Sequence, residues 1–237
     1  MILLLWLEGP LQSWGVNSKF NRKTTLFFPT RSALCGMLCS SMGKKGEQED
    51  FLTILRHTKL HIIGFRKDFR VKGNILKKEW LIEDYHTVGN GYNKRDPWEN
   101  MCIPKKIDGS NPSNVPGSRI THRFYLVDCV FAVMWEMEDL LAKQCAESLS
   151  VPVYDLYLGR KSCIPSEFIF QGVFIKEENA RERINELSQQ KHLREVFEVK
   201  EVQEETEYEL WDVPIKFGRF KRYDYRFVEV EWKGESY

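Results

Sequence analysis

Ile120-Thr121-His122-Arg123-Phe124-Tyr125-Leu126-Val127-Asp128-Cys129-Val130-Phe131-Ala132-Val133-Met134-Trp135 is the longest strand candidate in the chain. β-Branched and aromatic side chains dominate it. From Cys129 onward both of its faces are apolar, the mark of a central strand covered on two sides. Working outward, Glu138–Ser148 reads as a helix and Lys59–Arg66 alternates as a strand, with a helical stretch at Phe51–Arg56 before it. Ile2–Leu7 is a further strand. After the Gly-, Pro-, Ser- and Asn-rich loop 8–30, Thr30 can cap a helix from Arg31 to about Met42 with Ala33, Leu34, Met37 and Leu38 inward. On the C-terminal side, residues 179–193 form a helix on a charged background, and Phe227–Trp232 alternates as a closing strand. The chain is therefore expected to mix strands and helices around a covered sheet.

One segment stands apart. Residues 89–119 hold four glycines and four prolines with no apolar period. A loop of that length in a compact domain is usually functional or disordered, and its Lys94, Arg95, Lys105, Lys106 and Arg119 suit contact with an anion or a neighbouring subunit.

The 237 residues carry 35 Lys+Arg against 34 Asp+Glu, with 42% hydrophobic residues, enough for a real core and against global disorder. The near-zero total hides a bipolar distribution: residues 1–78 hold 14 basic against 5 acidic side chains, whereas residues 177–210 hold 11 Glu against 5 basic ones. Such asymmetry suits a protein that holds a polyanion on one face and meets a protein partner or solvent on the other. No apolar span is long enough for a bilayer. The Ile2–Leu7 run is too short for a signal-peptide core and lacks a basic leader, so a cytoplasmic protein is expected. The six cysteines lack zinc-like spacing and are read as reduced, buried thiols, with no metal and no cofactor.

Several stretches could carry chemistry. Pro29-Thr30-Arg31-Ser32 opens a helix whose free N–H groups could hold a phosphate beside the Arg31 guanidinium, although an ordinary capped helix would look the same. Gly9-Pro10-Leu11-Gln12-Ser13-Trp14-Gly15 places an indole in a turn, where Trp14 could stack on a base or simply plug the sheet edge. His86 and His122 flank the long loop, with Arg123 on the opposite strand face from His122. They could hydrogen-bond RNA, serve structure, or act as general acid and base of a metal-free ribonuclease. Leu158-Gly159-Arg160-Lys161-Ser162-Cys163 lacks the Walker spacing but could cradle a phosphate through backbone amides and Arg160. Residues 216–226 interleave aromatics with Arg219, Lys221, Arg222 and Arg226, a composition suited to single-stranded RNA and equally to a solvated edge strand.

Six stretches in register resemble the CasD family, the type I-E branch of the Cas-five proteins of the CRISPR Cascade complex. They are Gly9–Gly15; Pro29–Leu34 with Gly36; Asp84-Tyr85-His86-Thr87-Val88-Gly89; Thr121–Leu126; Leu158–Cys163 with Pro165; and Asp212-Val213-Pro214 followed by Phe217, Arg222, Tyr223 and Arg226. The resemblance implies an α+β fold: a ferredoxin-like, RRM-related, RAMP-type domain over residues 1–150, with a protruding thumb at about 89–119 and a smaller β-rich part over 151–237. It further implies a non-catalytic subunit that binds and caps the five-prime handle of the guide RNA, starts the filament of backbone subunits and contacts the large subunit near the PAM end of target DNA. The RNA contacts expected on that basis are Trp14, Arg31, Ser32, His86, His122, Arg123, Arg160, Lys161, Arg219 and Arg222. A type I-C relative cleaves repeat RNA itself, which keeps an endoribonuclease using His86 and His122 as the alternative; a protein-only scaffold is the third reading.

Overall fold

The fold is described from a computed structural model, for all residues except 17, 19–20, 68, 72–73, 77–79, 89–92, 94, 102–104, 111–118, 204–205, 207 and 234–237. The chain is mixed α and β. In order it forms β1 (Ile2–Glu8), β2 (Leu11–Gln12), β3 (Arg22–Lys23), α1 (Arg31–Ser41), α2 (Glu49–Arg56), β4 (Lys59–Lys67), β5 (Phe69–Val71), β6 (Asn74–Leu76) and β7 (Leu81–Val88). There follow α3 (Pro97–Met101), β8 (Arg119–Val127), β9 (Cys129–Glu136), α4 (Asp139–Ser150), β10 (Phe170–Phe174), α5 (Glu177–Gln190), β11 (Leu193–Val202), β12 (Tyr208–Lys216) and β13 (Arg222–Trp232).

Seven strands make one antiparallel sheet in the order β10-β1-β9-β4-β11-β13-β12. β9 lies inside it, as its two apolar faces demand. On one face Leu3, Leu5, Leu7, Phe131, Val133 and Trp135 pack with the buried side chains of α1, α2 and α4. On the other, Leu4, Trp6, Val130, Ala132 and Met134 meet Ala180, Ile184 and Leu187 of α5. The strict alternation along β1 and β9 therefore feeds two cores from the same strands. Each fully buried large apolar side chain contributes roughly 1.5–3 kcal/mol by leaving water.

The single strand expected over 120–135 is two. Asp128 breaks it with a left-handed backbone, φ 49°, and β8 belongs to a second, small sheet. There β7 pairs along one edge of β8, and the short β2 and β3 pair in turn along the other, β3 in parallel. Most of the segment 89–119, where a thumb is expected, lies outside the described residues. Within it α3 carries no buried side chain. Beyond residue 150, β10 to β13 all join the large sheet.

Candidate nucleic-acid interface

A cleft of about 610 Å³ opens where six segments of the chain converge, among them one holding Ser13, Gly15 and Ser18 and another holding Gly46. The start of α1 brings Ser32 and Ala33, the turn after α4 brings Gly159 and Arg160, β3 brings Lys23, the turn leading into β13 brings Phe217, Gly218 and Lys221, and β13 itself brings Tyr223. Among the described residues its lining holds three cations, Lys23, Arg160 and Lys221, and no carboxylate. Five glycines lie in the same wall, at 15, 36, 46, 159 and 218. Wherever side chains are missing, a ligand can approach backbone N–H groups directly, and three cations with no lining carboxylate among the described residues favour an anionic one.

The Gly159 turn is fixed by its neighbours. Its φ is +93°, and a Cβ added there would sit 1.8 Å from the Ser13 carbonyl oxygen, so only glycine fits. Ser13 donates its N–H to the Leu158 carbonyl at 3.0 Å, and Leu158 and Cys163 close the turn through backbone bonds. Arg160 donates from Nη2 to the Lys23 carbonyl at 2.9 Å and from Nη1 to the Phe124 carbonyl at 3.4 Å, and its guanidinium lies 4.8 Å from the Tyr125 ring centre. Two of its five N–H groups are thus committed to holding β3 and β8 beside the turn. Gly36, on the α1 face towards the cleft, has open space where a Cβ would stand. It widens the cleft. Cys39 also lines the cleft, but burial pushes its thiol up to about 11, so it is not a thiolate near neutral pH.

The expected site residues separate into three groups. Ser32 and Arg160 meet in the cleft, with exposed Lys161 next to Arg160 and exposed Arg219 and Arg222 between its lining residues. The Arg219 guanidinium lies 5.6 Å from the Phe220 ring centre. His86, His122 and Arg123 lie instead on the β7–β8 ladder. Tyr85 is paired with His122 and His86 with Thr121, which puts the two imidazoles on opposite faces of the ladder. His122 Nδ1 bonds the Glu83 carboxylate, and His86 Nε2 lies 2.9 Å from Asp84 Oδ1. This geometry does not let both rings reach one phosphodiester.

Trp14 and Arg31 correct the sequence reading, because both are interior. Trp14 is fully buried, and its indole N–H donates to Gln12 Oε1 at 3.2 Å; Gln12 in turn donates to the Leu7 and Cys129 carbonyls. The Gly9–Gly15 stretch is thus a plug between the two sheets. Arg31 is 2% exposed, with its guanidinium on the Thr58 and Leu55 carbonyls and the Glu201 carboxylate. Its backbone N–H donates to Asp212 Oδ2 at 2.7 Å. The helix-start anion site is therefore filled by a carboxylate of the protein itself. Lys23 is the lining cation that sequence reasoning did not single out; Lys221 and Tyr223 lie in the 216–226 stretch that it did, but outside the expected RNA contacts. In the 216–226 stretch Arg226 is buried against Asp212 and Glu201, and Lys216 is paired with Glu47 and Glu49.

An antiparallel α/β fold thus carries a glycine-walled cationic cleft whose lining, among the described residues, has no carboxylate. The model of the CRISPR-associated protein family Cas_Cas5, in its Cas5d form, matches residues 2–230, and the chain belongs to this family. It is similar to the CRISPR system Cascade subunit CasD of Escherichia coli (strain K12), 27% identical over 173 residues, covering 72% of this chain and 70% of that protein. Among solved structures it is similar to a chain of a CRISPR RNA-guided surveillance complex, with TM-score 0.72 and 24% identity over 98% of this chain and 90% of that one. A second structure, titled as the crystal structure of a Cas protein, superposes with TM-score 0.57 at 21% identity, covering 98% and 94%.

Proposed function

We propose that this chain is a non-catalytic subunit of a CRISPR Cascade complex that binds and caps the five-prime handle of the guide RNA. The observation that carries this reading is the cleft: three cations, five glycines and no carboxylate, on a chain of the Cas5 family. Handle phosphates would meet Lys23, Arg160, Lys161, Lys221 and the Ser32 hydroxyl, with Arg219 and Arg222 at the flank, while unstacked bases lie against Tyr223 and Phe217. His86, His122 and Arg123 would hydrogen-bond the neighbouring nucleotides. Trp14 and Arg31 serve by holding the walls in place. Backbone and large subunits of the complex are the protein partners, and target DNA near the PAM end is approached only indirectly. No membrane role is proposed; among the described residues no helix is long and apolar enough to cross one. A cytoplasmic location follows from that assembly.

The run β1, helices, β4, β9, α4, β10 with strand order β10-β1-β9-β4 supports reading residues 1–150 and the first strand beyond them as a ferredoxin-like, RRM-related core. On the same reading the 89–119 segment is a thumb, and β11 to β13 belong to the smaller β-rich part.

The test is incubation of the purified chain with labelled cognate repeat RNA in EDTA, resolved on native and denaturing gels. A shifted, intact RNA is expected, weakened by Lys221→Glu. Cleavage that disappears in His86→Ala or His122→Ala would make the protein a processing ribonuclease, and absence of any shift would leave a protein-only scaffold.

A further inference from the structure

The hairpin β12–β13 carries a row of aromatics on the same sheet face as α5, beyond β10, β1 and β11, the strands that α5 packs against. Trp211 and Tyr225 are 51% and 48% exposed, with ring centres 5.5 Å apart, and Tyr225 meets Phe227 at another 5.5 Å. Alternation along β13 turns Arg226 and Val228 inward, so this row faces out by the register of the strand. Contiguous exposed aromatics of this kind mark interaction surfaces rather than solvated ones. The cleft reading leaves this face unused.

Charge decides what it takes. Glu209 stands directly opposite Phe227 across the hairpin, and Glu229 follows two residues along the same face. Both are exposed, and among the described residues neither has an ion-pair partner. Lys200, opposite Glu229 on β11, is directed instead to Glu198 at 3.4 Å and Glu231 at 3.9 Å. The face also closes the acidic stretch 177–210. A phosphate backbone would be repelled here, whereas a Lys or Arg side chain gains both the rings, through their π faces, and the two carboxylates. We infer that the Trp211–Tyr225–Phe227 row is a docking surface for a protein partner presenting a Lys/Arg-rich segment.

The proposal is independent of RNA binding in the cleft. Its test uses the full chain and a fluorescein-labelled Arg/Lys-rich octapeptide, read by anisotropy and by the indole NMR signal of Trp211, assigned through its loss in Trp211→Phe. Saturable binding that moves this signal is expected. The pair Glu209→Lys with Glu229→Lys should weaken it at least about tenfold. Glu178→Lys with Glu182→Lys on α5 should leave it unchanged, and both pairs should still shift repeat RNA. Equal weakening by the two pairs, a Trp211 signal moved by single-stranded RNA, loss of the RNA shift in the Glu209/Glu229 variant, or self-association abolished by Trp211→Ala would each overturn the proposal.

Discussion

Asp212 accepts the backbone N–H of Arg31, the first residue of α1, at 2.7 Å from a position 181 residues further along the chain. The same carboxylate takes Arg226 Nε at 2.7 Å on Oδ1 and Nη2 at 2.9 Å on Oδ2. Arg31 and Arg226 then share the Glu201 carboxylate. Two cations and two carboxylates, three of the four under 10% exposed, thus tie the start of α1 to β11, β12 and β13. Both the helix end and the hairpin that wall the cleft are set by this cluster.

Removing Asp212 leaves two buried guanidiniums with one carboxylate between them. Breaking a buried pair from one side costs about 3–5 kcal/mol. Asp212→Ala is therefore expected to lower the urea midpoint by that equivalent with the slope of the transition unchanged. A variant with wild-type stability would mean that the cluster does not hold the hairpin.

Arg31 and Lys221 are both basic residues beside the cleft, yet the structure assigns them opposite behaviour. Arg31→Ala should cost stability, because Glu201 and the Thr58 and Leu55 carbonyls lose a buried donor. Lys23→Ala and Lys221→Ala should leave stability within about 0.5 kcal/mol. Each should instead weaken RNA binding and reduce the slope of log affinity against log salt by about 0.7, one released counterion contact on a single strand. Thermal melts beside salt titrations of a labelled repeat separate the two patterns; an unchanged slope in both lysine variants would remove the cleft from the RNA path.

The elements legible in the sequence are those whose period is unbroken. The Thr30 cap and apolar spacing place α1 at Arg31–Ser41, with the Thr30 side chain accepting the Ala33 N–H. β9 reads as central because both of its faces are apolar. Asp128 defeats the pattern: nothing in an alternating apolar run announces a positive φ, so β8 and β9 merge on paper although they serve different sheets. β10 is five residues with a glycine and is too short to signal itself. At the site, the Gly159-Arg160 turn is legible because glycine beside bases is a local feature. Lys23 sits in a loop with no pattern, and only the pairing of β3 with β8 carries it to Arg160. Arg31 and Trp14 fail for the converse reason. Their residue types suit a ligand, and distant partners consume them.

Gly159→Ala tests how far the cleft depends on its turn. The added methyl meets the Ser13 carbonyl oxygen at 1.8 Å in a conformation that disfavours any Cβ. A cost of at least about 2 kcal/mol is expected, together with weaker RNA binding, since Arg160 moves with the turn. Gly36→Ala provides the contrast. That site has open space, so the helix should be stabilised slightly, by about 0.5–1 kcal/mol, while the methyl narrows the cleft. A Gly36→Ala protein that melts higher yet binds RNA less tightly would locate the ligand against α1.

Glu198 sets the acid limit of the β4–β11 side of the sheet. Burial, the largest single influence on it, would raise its carboxyl, but hydrogen bonds from Arg181 and His61, the latter at 2.7 Å, prevail and hold it at about 2. A carboxyl depressed below its unfolded value adds stability that is complete above about pH 4.5 and is lost as pH falls towards 2. His61 works in the same direction through a different cause. Burial lowers its pKa despite the Glu198 carboxylate, so its contribution is present above about 6.5 and fades as pH falls below that value. Stability measured by urea unfolding should therefore decline in two stages, a shallow one beginning near pH 6.5 and a steeper one below pH 4.5. His61→Gln should abolish the first stage and Glu198→Gln should flatten the second; a Glu198→Gln profile with the wild-type acid limb would mean that other carboxylates carry it.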